Sequence, residues 1–197
     1  QWLSQNYPEV NRTNAQGQKH THGFRHNHCY SSPIYREKVT QINQQLAKRY
    51  GKHPALAMWH ISNEYSGECF CSYCQENWRS WLQKKYGDLA TLNHAWWTSF
   101  WGGTYSDWSQ VLPPSPLGEH KVHGMDLDWK RFVTDRTIDF YLHECAPIRQ
   151  LTPDIPVTTN FMAEGHATQD FIPLEGIDYS KFARHVDIVS WDSYPDW

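Results

Sequence analysis

The most informative stretch of the chain is Met58-Trp59-His60-Ile61-Ser62-Asn63-Glu64-Tyr65, a mainly apolar run that ends in an amide and a carboxylate. Residues 55–61 are apolar at all but one position and follow Pro54. Such a short apolar run is typical of a buried strand in a parallel sheet. Asn63 and Glu64 would then lie at its carboxyl end, which carries the active site in a barrel of alternating strands and helices.

A helix is predicted just before this strand. Ser32 and Pro33 mark its start, because serine is a favoured N-cap and proline is tolerated at the first helical position. Gly51 marks its end. Apolar residues recur at spacings of three and four and predict one stripe that packs on the sheet, at Tyr35, Val39, Ile42, Leu46 and Tyr50. Residues 1–31 show no periodicity and predict a long loop.

Further helices and two further strands are predicted after residue 61. The helices are expected over 75–86, from the cap Asp88 onward, and from the cap Asp126 to about Leu151. The strands are expected over 155–161 and 186–190, with a short helix within 178–184. A helix that leads into a buried strand through a short turn is the repeating unit of an α/β barrel.

Composition excludes two classes of partner. The 197 residues suffice for one ordinary domain, and the net charge of −3 gives no basic surface for nucleic acid. No apolar run approaches the roughly 18 residues that a membrane span needs. Eleven Trp and eleven Tyr are many for this length. Such rings can stack on sugars, although most large aromatic side chains serve as core residues.

Four of the five cysteines indicate a metal centre. Cys69, Cys71 and Cys74 lie close together, and Cys29 lies upstream. Four thiolates can form a closed tetrahedral zinc site. Disulfides are the alternative, although Cys-x-Cys-x-x-Cys is cramped for two bridges. Cys145 stands apart at helical spacing from other apolar residues and is expected to be a core thiol.

Three segments resemble the β-galactosidases of glycoside hydrolase family 42. They are the strand end at 60–65, the cysteine segment at 67–75 and the tryptophan-rich segment at 96–108. The resemblance extends along nearly the whole chain and implies an α/β fold, the (β/α)8 TIM barrel. This chain would cover roughly strands four to six with long loops. Residues 1–197 would thus be the central part of a single catalytic TIM-barrel domain, with both ends of the barrel missing.

The resemblance implies a retaining β-galactosidase that works by double displacement. Glu64 would be the general acid/base, and Arg25, Asn63 and Tyr194 would bind the sugar. A retaining enzyme needs a second carboxylate as nucleophile. By resemblance this glutamate lies after the seventh strand, outside the chain, and Asp192 does not match its segment. The isolated chain is therefore expected to be inactive.

The resemblance also implies a structural zinc ion on Cys29, Cys69, Cys71 and Cys74 and no organic cofactor. The expected partner is a β-galactoside oligosaccharide, with no nucleic acid and no membrane. A homo-oligomer, specifically a trimer, and a cytoplasmic location are further expectations from the family. Two alternatives stay open: another retaining glycosidase of the same clan, such as a β-glucosidase or α-L-arabinopyranosidase, and a non-catalytic carbohydrate-binding barrel.

Overall fold

The structure, a computed structural model, describes residues 1–23, 25–118, 122–162 and 177–193. Within these segments the chain contains six α-helices and three strands, joined by loops and short 3-10 turns. Their bounds are α1 Trp2–Asn6, α2 Pro33–Tyr50, β1 Trp59–His60, α3 Ser72–Tyr86, α4 Leu89–Trp96, α5 His123–Leu151, β2 Val157–Phe161, α6 Tyr179–Phe182 and β3 Ile188–Trp191. No helix in these segments combines the length and the apolar composition needed to cross a membrane.

The three strands form one parallel sheet in the order β1-β2-β3. Trp59 lies opposite Val157, and Thr158 lies opposite Ile188. Helices α3, α4 and α5 lie between β1 and β2 in the chain, and the short helix α6 lies between β2 and β3 where the pattern predicts it. The alternating α/β order is confirmed, and the carboxyl ends of all three strands meet at one edge.

The strand predicted over 55–61 is too long. Only Trp59 and His60 pair with β2, and Met58 is 44% exposed. Residues 55–58 gain no ladder hydrogen bonds, because β2 begins at Val157, opposite Trp59, and no described strand lies beside the earlier residues. The other two strands are shifted slightly, since β2 begins at Val157 and β3 ends at Trp191.

The predicted stripe on α2 is right only in its first half, since Val39 is buried and Tyr35 packs against the core, whereas Leu46 and Tyr50 are exposed. The buried residues are Val39, Asn43 and Ala47, whereas Ile42 is 55% exposed. Helix α2 packs on α5, and Asn43 Nδ2 donates to the carbonyl oxygen of Glu144 at 3.0 Å. The buried face of α2 thus combines a small side chain with a hydrogen-bonding amide, while Ile42, Leu46 and Tyr50 are exposed.

Most helix ends agree with the prediction. Ser32 accepts from Tyr35 N at 3.3 Å as the cap of α2, and Asp88 caps α4 in the same way. Helix α3 begins at Ser72, earlier than expected. The expected cap Asp126 is instead a residue of the first turn of α5, because that helix already begins at His123.

The apolar core has two parts joined by α5. One part lies between the sheet, α2 and the second half of α5; it includes Phe140, Tyr141, Ile148, Val157, Phe161 and Phe182. Cys145 lies in this part, as predicted. The other part packs α3 and α4 on the first half of α5 and includes Trp78, Trp96, Trp129 and Phe132. Beside it the buried Asp128 carboxylate accepts hydrogen bonds from Lys85, Tyr86, Trp96 and Arg131.

The amino-terminal loop is more ordered than predicted. It contains α1 and two isolated antiparallel bridges, Asn11 with His28 and Thr13 with Lys19. Cys29 N donates to the carbonyl oxygen of Val10 at 2.7 Å. These bonds fold the segment back on itself, which brings Arg25 and Cys29 toward the residues that follow β1.

Candidate active site and metal centre

A strained turn follows β1 and carries the predicted acid/base. Ser62 and Glu64 have φ values of 57° and 47°. Few non-glycine residues adopt this left-handed region, and those that do are held there by the surrounding structure, often at functional sites. Glu64 is only 5% exposed, while Asn63 is exposed. The turn therefore places a buried carboxylate beside an exposed amide at the carboxyl end of β1.

The Glu64 carboxylate contacts two of the other predicted residues. Arg25 Nη2 forms an ion pair with Glu64 Oε2, and Asn63 Nδ2 donates to the same oxygen at 3.1 Å. The Arg25 side chain is 50% exposed, so its guanidinium lies on the open side of the carboxylate. The structure thus brings together Arg25, Asn63 and Glu64, whereas Tyr194 lies outside the described residues.

Asn160 and Asp192, which were not predicted as site residues, also support this turn through hydrogen bonds. Glu64 N donates to Asn160 Oδ1 at 3.2 Å, and Asn160 Nδ2 donates to Asp192 Oδ1 at 2.8 Å. Asn160 lies on β2, and Asp192 follows β3. The sequence does place both residues at the ends of predicted strands, where site residues are expected. No pattern in the neighbouring sequence indicates that they contact Glu64.

The residue after Glu64 is anchored to α5. The Tyr65 hydroxyl donates to the buried carboxyl group of Glu144. The Tyr65 ring packs edge-on against Tyr30 and Phe140, with centroids 5.9 Å and 6.4 Å away. Burial raises the pKa of Glu144 to about 7. The turn that carries Glu64 therefore packs on an aromatic cluster beside a second carboxyl group, that of Glu144.

The four predicted cysteines converge on one point. Their Sγ atoms all lie within 4.8 Å of one another, and the Sγ atom of Cys29 lies 3.4 Å from that of Cys74 and 3.6 Å from that of Cys71. Zinc binds thiolates at about 2.3 Å, so a tetrahedral site holds its sulfurs about 3.8 Å apart. None of the five cysteines of the chain forms a disulfide. The donor set and its spacing fit a metal ion with four sulfur ligands.

N–H donors surround the sulfurs. Thr13 N, Ser31 N and Arg136 Nη1 donate to three different cysteines, at 3.5, 3.3 and 3.4 Å. Hydrogen bonds from the other three thiols, with the positive charge of Arg136, lower the pKa of the Cys74 thiol. Such donors offset the negative charge that four thiolates accumulate. Arg136 Nη2 also donates to the carbonyl oxygen of Gly67 at 2.9 Å, which connects the cysteine cluster to the segment that follows Glu64.

Comparison with known proteins decides the family. The family model for glycoside hydrolase family 42, described as beta-galactosidase, matches residues 1–197. The chain belongs to this β-galactosidase family. It is 62% identical to beta-galactosidase GanA of Bacillus subtilis and 59% identical to beta-galactosidase GalA of Bacillus licheniformis, in each case over the whole chain. The chain spans 29% of the length of each of these relatives.

Solved structures of the family support the same fold. The chain matches Gan42B, a GH42 beta-galactosidase from G. stearothermophilus, with a TM-score of 0.93 and 63% identity. The match covers 100% of this chain and 28% of that protein. The chain therefore has the family fold, and the family-42 β-galactosidases that it matches are TIM barrels, which supports the predicted fold class. Which of the eight barrel strands correspond to β1, β2 and β3 stays a prediction.

We expect that substitution of Gly67 destabilises the folded protein. Its φ is +84°, and a Cβ there would lie 1.9 Å from Arg12 Nη1. Arg12 is buried and held by a hydrogen bond to the carbonyl oxygen of His28 and by its position over the Tyr30 ring. Gly67→Ala should lower the free energy of unfolding by about 2–5 kcal/mol, from backbone strain and overpacking together.

Denaturant unfolding of the purified protein measures this effect. Gly17→Ala is the matched control, because Gly17 has a φ of +79° but nothing within 4 Å of a Cβ. It should cost only the backbone strain, about 1–2 kcal/mol. Equal losses in the two variants would show that contact with Arg12 is unimportant.

Glu144 should make the stability depend on pH. Its pKa is about 7 in the folded state against 4.5 in the unfolded state, so folding favours the protonated form. Below about pH 4.5 both states are protonated, and stability from this group is lost as the pH rises through 7. The loss amounts to about 3 kcal/mol.

Glu144→Gln keeps an acceptor for the Tyr65 hydroxyl but cannot ionise. Relative to wild type, its free energy of unfolding should therefore rise by about 3 kcal/mol between pH 4.5 and pH 8. Denaturant unfolding at several pH values measures this difference. Glu37→Gln, on the exposed side of α2, serves as the control. A constant difference between Glu144→Gln and wild type at all pH values would contradict the prediction.

Proposed function

We propose that residues 1–197 are the central part of the catalytic barrel of a longer retaining β-galactosidase, with Glu64 as general acid/base. The observation that carries this proposal is the buried Glu64 carboxylate at the carboxyl end of a parallel strand, in contact with Arg25 and Asn63. Family membership supports the substrate class, a terminal β-D-galactosyl residue. In this proposal β1, β2 and β3 are strands four to six of the barrel.

The reaction has two steps, and Glu64 acts in both. In the first, the Glu64 carboxylic acid protonates the glycosidic oxygen while a second carboxylate attacks the anomeric carbon. In the second, the Glu64 carboxylate removes a proton from water, which attacks the anomeric carbon and displaces the nucleophilic carboxylate. Retention requires the two carboxyl groups to lie about 5–5.5 Å apart. The nucleophilic glutamate is proposed to lie after strand seven, outside this chain.

Arg25 and Asn63 have donors to offer the sugar. Both now bond to one oxygen of Glu64, and an ion pair with Arg25 favours the ionised carboxylate. Proton donation in the first step therefore requires Arg25 to move away from Glu64, toward the sugar hydroxyls. Its half-exposed side chain can make this movement. Asn63 would bond the hydroxyl next to the anomeric carbon, a contact that strengthens in the transition state. Tyr194 is proposed to lie beside the nucleophile.

Zinc is the metal proposed for the cysteine cluster. Soft thiolate ligands in a tetrahedral set favour zinc, and four of them leave no coordination position open for substrate. The ion would hold Cys29 of the amino-terminal loop against the segment that contains Cys69, Cys71 and Cys74. Its role would be to hold these two segments in place beside the proposed active site. A trimeric assembly and a cytoplasmic location are further proposals from the family.

Replacing Glu64 tests the acid/base role in the full-length enzyme. Glu64→Ala should lower kcat for an aryl β-galactoside by about 100- to 10,000-fold, the usual contribution of general acid-base catalysis. Azide should restore turnover and give a galactosyl azide, because azide attacks the galactosyl-enzyme without a general base. Glu76→Ala, an exposed glutamate on α3, is the matched control and should keep wild-type activity.

The same assay includes the isolated 197-residue chain, which should be inactive because it lacks the second carboxylate. Turnover by this chain would contradict the placement of the nucleophile. A wild-type enzyme that hydrolyses no aryl glycoside but binds galactosides would favour a carbohydrate-binding barrel. Faster turnover of β-glucosides or α-L-arabinopyranosides would favour the other retaining activities.

Elemental analysis tests the metal proposal. Protein purified without chelators should contain one zinc ion per chain, and Cys74→Ser should lose most of it because one ligand of four is removed. Cys145→Ser is the matched control, since that cysteine lies outside the cluster. Removal of the metal should lower the melting temperature while leaving the acid/base residues unchanged. Zinc-free protein that melts at the same temperature as zinc-loaded protein would rule out a structural zinc site.

A further inference from the structure

A chain of two side-chain hydrogen bonds connects the ends of the three strands. It runs from Asp192, after β3, through Asn160, on β2, to the backbone N–H of Glu64, after β1. The two bonds are 2.8 Å and 3.2 Å long. The strands bring these residues together although Asn160 lies 96 positions from Glu64 and Asp192 lies 32 positions from Asn160.

The Asn160 amide can support Glu64 in one orientation only. Its Oδ1 accepts from the Glu64 N–H, and an amide turned over would present an N–H donor to another N–H donor. Asp192 distinguishes the two orientations, because an ionised carboxylate accepts hydrogen bonds and does not donate them. The Asp192 carboxylate therefore selects the orientation in which Asn160 can hold the Glu64 backbone.

This support matters because the Glu64 backbone is strained. With φ at 47°, the residue depends on outside contacts to stay in the left-handed region. The N–H of Glu64 is fixed by Asn160, and the following residue is fixed by the bond between Tyr65 and Glu144. Loss of the first contact would let the carboxylate shift. A shift of about 1 Å in a reacting group can cost about 100-fold in rate.

We propose that Asp192 is a positioning residue for the acid/base, acting through Asn160 on the backbone of Glu64. The proposal rests on the proposed function, in which Glu64 donates and accepts the proton. Asp192 itself need not touch the substrate. Its effect should appear only in steps that need proton transfer from Glu64, which distinguishes it from a residue that merely stabilises the fold.

The test compares two substrates in the full-length enzyme. Phenyl β-galactoside has a poor leaving group that needs protonation, whereas dinitrophenyl β-galactoside leaves without it. Asp192→Ala should lower kcat/KM about 10- to 100-fold for the phenyl substrate. For the dinitrophenyl substrate the loss should stay below about threefold, because kcat/KM reports the first step, in which that leaving group needs no acid.

Conservative variants test the direction of the hydrogen bonds. Asp192→Asn keeps an acceptor for Asn160 but can also donate to a turned-over amide, so it should recover only part of the activity that Asp192→Ala loses. Asn160→Asp should be as damaging as Asp192→Ala, because it sets two carboxylates against each other. The double exchange of Asn160→Asp with Asp192→Asn restores a donor and an acceptor between the two positions. It should recover at least about tenfold over Asn160→Asp alone, a coupling that a double-mutant cycle measures.

A matched control lies at the opposite end of the same strands. Asp187 precedes β3 and accepts from Val157 N at 2.7 Å and from Arg149 at 2.9 Å, far from the acid/base turn. Asp187→Ala should lower the melting temperature without changing the ratio of kcat/KM for the two substrates. This variant therefore shows the effect of a loss of stability alone. The melting temperatures of all variants establish that they fold.

The outcomes separate the two proposals. Equal losses on both substrates in Asp192→Ala, or a double exchange that recovers nothing over Asn160→Asp alone, would overturn the positioning role. Glu64→Ala is assayed alongside and should show the strongest dependence on the leaving group. If Glu64→Ala loses kcat/KM equally on both substrates, the acid/base assignment fails, and the positioning role fails with it.

Discussion

Parallel pairing of the three strands is the constraint on which the rest of the structure depends. Parallel strands all end at the same edge of the sheet, so the polar residues that follow them are forced into one place. Ile61 N still donates to the carbonyl oxygen of Thr158, whereas Glu64 N, three residues later, donates to the side chain of Asn160. The change from backbone pairing to side-chain support occurs at the point where the proposed chemistry begins.

Helix α5 is the second organising element. Over one run of 29 residues it contributes to both parts of the core and sends two polar side chains to the site. Glu144 accepts from Tyr65, and Arg136 bonds both Gly67 and Cys74. The segment that follows β1 and the cysteine cluster are therefore both anchored to the same helix.

The cysteine cluster and the turn that carries Glu64 also differ in how they are built. The cluster brings Cys29, from the folded amino-terminal loop, against three cysteines that lie close together in sequence. The turn relies on single contacts from β2, α5 and the amino-terminal loop, through Asn160, Glu144 and Arg25. A metal ion would tighten only the first of these. The second depends on hydrogen bonds whose orientation the surrounding side chains determine.

Local features of the sequence determined the order of the elements, the caps of α2 and α4, the spacing of the three neighbouring cysteines and the position of Glu64 after a strand. These follow from caps, periodicity and spacing, which act over a few residues. Tertiary structure alone decided that α2 buries Asn43 and Ala47, that Glu144 meets Tyr65, and that Asn160 supports Glu64. Such contacts join residues that lie far apart in the chain. Their partners are set by how strands pair and helices pack, and no local pattern encodes that choice.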